Sequence, residues 1–557
     1  MDFFLWPDAR RAWLQGQATD PARTSSGFIT SWRPSLHPQN TPDLTAEDAT
    51  PVTLAIWAGF ALMCLGMFMA ILDVQVVVTS LPTIQRALAV PAEQMSWIQT
   101  AYLIAEVIAI PLTGFMSRWL SMRWLFVLGV SAFTVASAGC AGSGTFPQLI
   151  ILRVLQGFSG GVLIPAVFSA VFLLFPMRRQ AVATTLAGML AVLAPTVGPI
   201  VGGWITETYS WRWLFLINLA PGILAAAGAA LLLPRERGAR GLWRTLDMIG
   251  IGLLMIGLAA LEVGLKEAPS RGWGAPMVLG LLAISATSLA GFVRRSLGRS
   301  APIVDLRTLA DRNFAVGSLL SFVLGIGLFG SVYLMPVFLA FVRGHEALRI
   351  GEIVLVTGAA QLVTAPLAVV LERRVDARLL SGFGFALFGV GLAMSALQTG
   401  ATDFDAMLLP QAVRGSAIMF CLLPPTRLAL GQLDTARIPD ASGLFNLMRN
   451  LGGAIGLALI DTVIYGRLPH HAAAIADRLQ AGDRSTAQAV GIPVAMFDAR
   501  PLGPLDPATA AMLEPMVNKL ALVLSINEAW ALIAVLTFAA LLAVPFARRA
   551  GAVDRSS

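Results

Sequence analysis

Lysine is almost missing from this 557-residue chain: Lys266 and Lys519 are the only two, and neither precedes Ser or Thr. A loop that grips phosphate needs Gly-Lys-Ser/Thr, so no nucleotide motor of that kind is encoded, and energy must come from an ion gradient or a separate subunit. Cysteine is scarce as well. Cys64, Cys140 and Cys421 all fall inside apolar runs, which gives neither a disulfide framework nor a Cys-x-x-Cys metal pair. Of four histidines none lies in a predicted span, and His470-His471 has no evident third ligand. Gly382-Phe383-Gly384 opens an apolar run without the strand of a dinucleotide fold. With no nucleophile–base pair visible, neither an enzyme nor a bound metal or cofactor is expected.

Charge is the next shortage. Only 13% of residues are Asp, Glu, Lys or Arg, against 56% hydrophobic. The net charge of +7 does not indicate nucleic acid, because the basic residues sit between the apolar runs, where they set membrane topology. Taking ~20 apolar residues per membrane helix, fourteen spans are expected, from 54–80 to 521–547. The fold class is an all-α polytopic membrane protein. Arg118 and Arg123, Arg178 and Arg179, Arg235 to Arg244, Arg294 to Arg299, Arg373 to Arg378, and Arg548 mark alternate connections. The positive-inside rule makes these cytoplasmic, and both termini with them. Arg343, His345 and Arg349 fall in an outer loop and run against that rule.

Ionisable residues inside such spans are costly and normally face a bundle interior or a watery route. Asp73, Glu106, Arg153, Arg414, Arg449, Asp461 and Glu528 come from separated parts of the sequence. Counting depth at 1.5 Å per residue puts most of them in the outer half of the membrane, as one polar layer. Desolvation and a nearby guanidinium pull a carboxyl in opposite directions, so Asp73, modulated by Arg153, is the first candidate to carry protons, with Glu106 next. A permanent Asp73–Arg153 ion pair that only orders helices is the competing reading. Pro195, Gly198, Pro199, Gly202 and Gly203 in the fifth span combine missing amide donors with close helix approach, the ingredients of a sliding or bending helix.

The chain also resembles itself. Pro111, Arg118 and Arg123 match Pro366, Arg373 and Arg378 in spacing, and Gln156-Gly157…Pro165 is echoed by Arg414-Gly415…Pro424. Parallel halves are implied.

In order along the chain stand Leu72-Asp73-Val74…Leu81-Pro82, Arg153-Val154-Leu155-Gln156-Gly157, Gly198-Pro199-Ile200-Val201-Gly202-Gly203, and Asn446 with Arg449. In this the chain resembles the fourteen-span drug:proton antiporters of the major facilitator superfamily, of the multidrug-resistance protein B type. The resemblance implies a major facilitator fold of two six-helix bundles plus two inserted helices. The expected division is a disordered cytoplasmic tail (1–50), an N-terminal bundle (51–233), the inserted pair (234–300), a C-terminal bundle (301–547) with a long outer loop (466–520), and a short tail (548–557). It also implies proton-coupled efflux of hydrophobic or amphiphilic small molecules by alternating access, in a bacterial inner membrane and in contact with its lipids. A periplasmic membrane-fusion adaptor and an outer-membrane channel are the implied partners. Export of one endogenous siderophore, fatty acid or lipid is the alternative within transport, and a non-transporting sensor or scaffold the alternative outside it. One departure stands out: Arg118 and Ser121 occupy places where the family usually has Asp and Gly after Gly114, so that Asp cannot latch the inner gate.

Overall fold

The computed structural model describes residues 53–89, 97–235, 238–239, 247–299, 302–493, 497 and 507–548. The expected tail at 1–50, residues 549–557, and Arg237, Arg240 and Arg244 lie outside them. In a bilayer every backbone polar group must be satisfied internally, and this sequence does so with helices: α1 (Leu54–Ala87), α2 (Trp97–Leu120), α3 (Met122–Gly142), α4 (Phe146–Leu174), α5 (Met177–Thr208), α6 (Leu219–Leu232), α7 (Met248–Arg271), α8 (Pro276–Gly298), α9 (Arg312–Phe341), α10 (Ala347–Glu372), α11 (Ala377–Ser395), α12 (Phe404–Leu430), α13 (Ile438–Gln480) and α14 (Pro507–Ala539). Thirteen are long and apolar enough to cross a membrane, α6 only together with the turn before it (Trp213–Leu232). The fourteenth, α5, is a pair of segments, Met177–Pro195 and Ile200–Thr208, bent by 47°. Side chains cap several starts: the carboxylates of Asp247, Asp311 and Asp403 accept from Gly250, Phe314 and Phe404 amides, satisfying donors that a helix leaves open.

Packing follows burial. In α2 and α4, 83% of the most apolar stretch is buried, against 17% in α8, so α2 and α4 are central and α8 is peripheral. Helices α1 to α6 pack on one another, and α9 to α14 do the same. Contacts between these sets run along α5 against α10 and α12, and along α2 and α4 against α13. The hairpin α7–α8 leans on α2 and α13 through α7. Asp247 ties its base to Arg295, at 2.7 Å, and to Arg299.

Two boundaries differ from the sequence reading. The sixth span is interrupted: a single turn at Trp213–Leu216 precedes α6, with Asn218 at the junction. Helix α13 has 43 residues, about 65 Å at 1.5 Å each, and so continues far past the expected end at 465. His470 and His471 therefore sit on a helix rather than in a loop. At its far end Leu479 joins Val490, Phe497 and Val517 in a small apolar cluster of their own.

Candidate functional site

In the first helical set a closed polar box surrounds Asp73. Arg153 donates through Nη1 to Asp73 Oδ2 at 2.5 Å, and both side chains are fully buried. Asp73 Oδ1 accepts from Gln156 Nε2 at 3.0 Å and from Asn218 Nδ2 at 2.7 Å. Gln156 also donates to Ser137 and accepts from Arg153. The Arg153 Nε proton goes to the Ile98 carbonyl, and the guanidinium lies 4.4 Å from the centre of the Tyr102 ring. The box thus joins α1, α2, α3, α4 and the start of α6. Two tightly packed charges with four hydrogen-bonding neighbours form an ordered unit, and removing one partner of such a buried pair costs about 3–5 kcal/mol.

Glu106 is different. It is 8% exposed, lies four residues beyond Tyr102 on α2, and has no side-chain hydrogen bond among the described residues. The charges that act on it come from three directions: Glu262 on α7, Arg153 on α4 and Arg449 on α13. Arg449, itself 7% exposed, donates to Asn446 at 2.6 Å and lies 5.4 Å from the Phe168 ring of α4. Glu106 and Arg449 therefore flank the seam between the two helical sets. The sequence reading missed Glu262, although an acid inside an apolar run was the same signal that picked out Glu106.

Other candidates are dispersed. Asp461 accepts from the Tyr333 hydroxyl at 2.8 Å, between α13 and α9. Glu528 meets Arg467 at 2.6 Å and His471 at 2.9 Å on a partly exposed face of α13 and α14, apart from the buried acids. Arg414 is 2% exposed in the second set. The bend in α5 falls between Pro195 and Ile200, so Gly198 and Pro199 lie within it. A Cβ on Gly198 would overlap the Gln75 side chain of α1; Gly202 and Gly203 are buried.

The repeat has a geometric counterpart. A Cβ on Gly157 would collide with the Tyr102 carbonyl, and one on Gly415 with the Thr357 carbonyl. The crossing of α4 over α2 is thus reproduced by α12 over α10.

A family model described as Major Facilitator Superfamily matches residues 63–457. The chain belongs to the major facilitator superfamily. It is 37% identical over 408 residues to the colistin resistance protein EmrB of Acinetobacter baumannii, covering 73% of this chain and 80% of that one. To the multidrug export protein EmrB of Escherichia coli K12 it is 31% identical over 414 residues, covering 74% and 80%. Among solved structures, the human organic anion transporter MFSD10 (TETRAN) has the same fold, with a TM-score of 0.53 at 15% identity, over 87% of this chain and 99% of that one.

Within this superfamily fold, the unusual loop after Gly114 acquires a partner. Arg118, at the end of α2, pairs with Asp440, at the start of α13. A Cβ on Gly114 would overlap Asp440, so the glycine lets α13 come this close. Next to it, Ser442 donates to the Pro165 carbonyl of α4 at 3.0 Å. The arginine-rich end of the seam is therefore clamped, with the cation on the α2 side and the acid on α13. Ser121 is the whole connection between α2 and α3 and has φ 79°, a conformation that glycine adopts at no steric cost. At the opposite end, Asp403 holds Arg343 at 2.7 Å and His345 at 3.0 Å. Two of the three basic residues that run against the positive-inside rule are thus partnered here, and the third, Arg349, pairs with Glu352 at 2.7 Å. The Arg343 hydrogen bond, joined by His345 and working against partial burial, holds the Asp403 carboxyl at about 2.

Proposed function

We propose that this chain is a proton-coupled exporter of hydrophobic or amphiphilic small molecules, working by alternating access in a bacterial inner membrane. The observation that carries the reading is Glu106: a carboxyl that is mostly buried, lacks a hydrogen-bond partner among the described residues, and lies at the seam opposite Arg449. When the seam opens, the distances from Glu106 to Arg449 and Glu262 change, and the preferred charge of Glu106 changes with them. Proton binding is thereby linked to which side is open. The names of the relatives, multidrug export and colistin resistance, agree with efflux as the direction.

This assigns the parts differently from sequence reasoning, which favours Asp73 as the proton carrier. The box around Asp73 has the character of a fixed strut that keeps α1, α3, α4 and α6 together while the seam moves. The bend at Pro195 to Pro199 supplies compliance on the α5–α10 side. Helices α1 to α6 and α9 to α14 act as the two bundles, with α7–α8 inserted. The arginine-rich end faces the cytoplasm with both termini, and the Arg118–Asp440 pair latches it. The extended end of α13, with the start of α14, projects on the outer side, where a periplasmic adaptor would dock.

The test is dye accumulation in cells lacking the protein and in cells restored with it, with and without an uncoupler. Export that stops on uncoupling, and that Glu106→Gln stops without loss of protein from the membrane, supports the reading. Export insensitive to the uncoupler refutes it.

A further inference from the structure

The two helical sets repeat one another in shape but not in charge. Taking the paired glycines as reference, Gly157 is preceded by Gln156 and, four residues back, by Arg153; Gly415 is preceded by Arg414 and, four back, by Gln411. The Arg–Gln pair is kept with its order reversed. Tyr102 and Thr357 occupy matching places below the two glycines, so Glu106, four residues past Tyr102, corresponds to Gln361, four past Thr357. The acid that neutralises the arginine has no equivalent. Arg153 finds Asp73 on α1, whereas Arg414 finds the Met335 sulfur on α9 at 3.4 Å.

Among the described residues Arg414 is thus a buried cation without an anion. Its only other hydrogen bond among the described residues runs to Thr357 Oγ1 at 3.2 Å, and Nε and Nη1 have no partner among them. No carboxylate among the described residues acts on it. Near it Gln411 Nε2 and Trp530 Nε1 are buried donors without a partner among the described residues, the Gln361 amide has both its nitrogen and its oxygen unpaired, and Gln398 leaves an oxygen unpaired. With Arg414 Nε and Nη1 the unmet donors outnumber the unmet acceptors, and the Trp530 ring is 5.2 Å from the guanidinium carbon. A buried charge is normally paired, and an excess of unmet donors around a cation suits an anion. A cleft of about 60 Å³ approaches from the end opposite the arginine clusters, lined by Met335, Gln398, Thr402, Met407 and Gln411. Met335 both lines this cleft and touches Arg414, and a methionine side chain readily changes rotamer.

We propose that Arg414 is the core of an anion site in the second helical set, taking the carboxylate of an amphiphilic molecule that enters through this cleft. The carboxylate occupies, relative to Arg414, the place that Asp73 occupies relative to Arg153. Planar oxygens match the guanidinium fork, while Met335, Met407 and the neighbouring apolar wall take the first carbons of the chain. An organic carboxylate fits better than a bare halide because the approach is walled by thioethers as well as amides. The role of the site in export rests on the transporter reading; its existence does not.

The experiment measures saturable binding of radiolabelled octanoate to the full-length protein in lipid nanodiscs, in chloride-free buffer and without a pH gradient. Failure of proton coupling therefore cannot mimic failure of the site. Octanoate is expected to bind, octyltrimethylammonium not to displace it, and Arg414→Gln to weaken it by about tenfold or more, the loss of one charge-assisted contact. Met335→Glu guards against a misfolded Arg414 variant. It supplies an internal carboxylate, so it is expected to abolish octanoate binding while raising the melting temperature. Octanoate binding unchanged in Met335→Glu, or absent from the unmodified protein, overturns the proposal. Displacement by chloride at concentrations like those of octanoate overturns the organic occupant.

Discussion

The Arg118–Asp440 clamp can be weighed. Arg118 is 32% exposed at its side chain and Asp440 11%. Exposed pairs contribute about 0.2–1 kcal/mol, and breaking a buried pair costs about 3–5 kcal/mol, so a pair with one buried partner falls near 1.5–2 kcal/mol. If the bond exists only while α2 and α13 touch at this end, losing it raises the open population about 10- to 30-fold. Ser442 reports on this, since it is fully buried and hydrogen-bonded across the same seam, and all three native cysteines are buried. In a Ser442→Cys background, Arg118→Ala and Asp440→Asn should each speed alkylation by that factor, and the double variant should be no faster than either alone, because both remove the same bond. Unchanged labelling, or effects that multiply in the double variant, would refute the clamp.

Asp73→Asn should insert but unfold in detergent at lower temperature, since it leaves Arg153 buried without its counter-charge, at about 3–5 kcal/mol; a melting curve like that of the unmodified protein contradicts the strut. Gly198→Leu forces α5 away from Gln75 and should abolish transport at normal membrane levels, read by dye efflux and immunoblot. Ser121→Gly relieves a positive-φ serine worth about 1–3 kcal/mol, less the modest contribution of the Ser121 cap on Trp124, and should raise the melting temperature. Because the Asp403 carboxyl is held at about 2, its bonds to Arg343 and His345 stabilise the fold above pH 4 and fail as pH falls toward 2. Asp403→Asn should flatten that part of the pH–stability profile.

The number and type of elements were legible because a bilayer admits so few solutions: long apolar runs become helices, and arginines mark one set of ends. Asp73, Glu106, Arg153, Arg414 and Arg449 were legible for the same reason, each being a costly interruption of an apolar run. What each one does depended on partners far away in sequence. Asp73 and Glu106 look equivalent as letters, yet one accepts bonds from Arg153, Gln156 and Asn218 and the other has none among the described residues. Glu528 resembled them in depth only while α13 and α14 were assumed to end at the membrane surface. Asp440 gave no sign of being the acid missing from the loop after Gly114, because it lies 322 residues from Arg118. Gln361 and Met335 were unreadable as counterparts of acids until the paired glycines aligned the two halves.

The most direct test of proton coupling is the pH change when a hydrophobic cationic dye is added to the purified transporter in weakly buffered solution. The account predicts proton release from the unmodified protein and none from Glu106→Gln, which still binds the dye. Equal proton release from Glu106→Gln would contradict it.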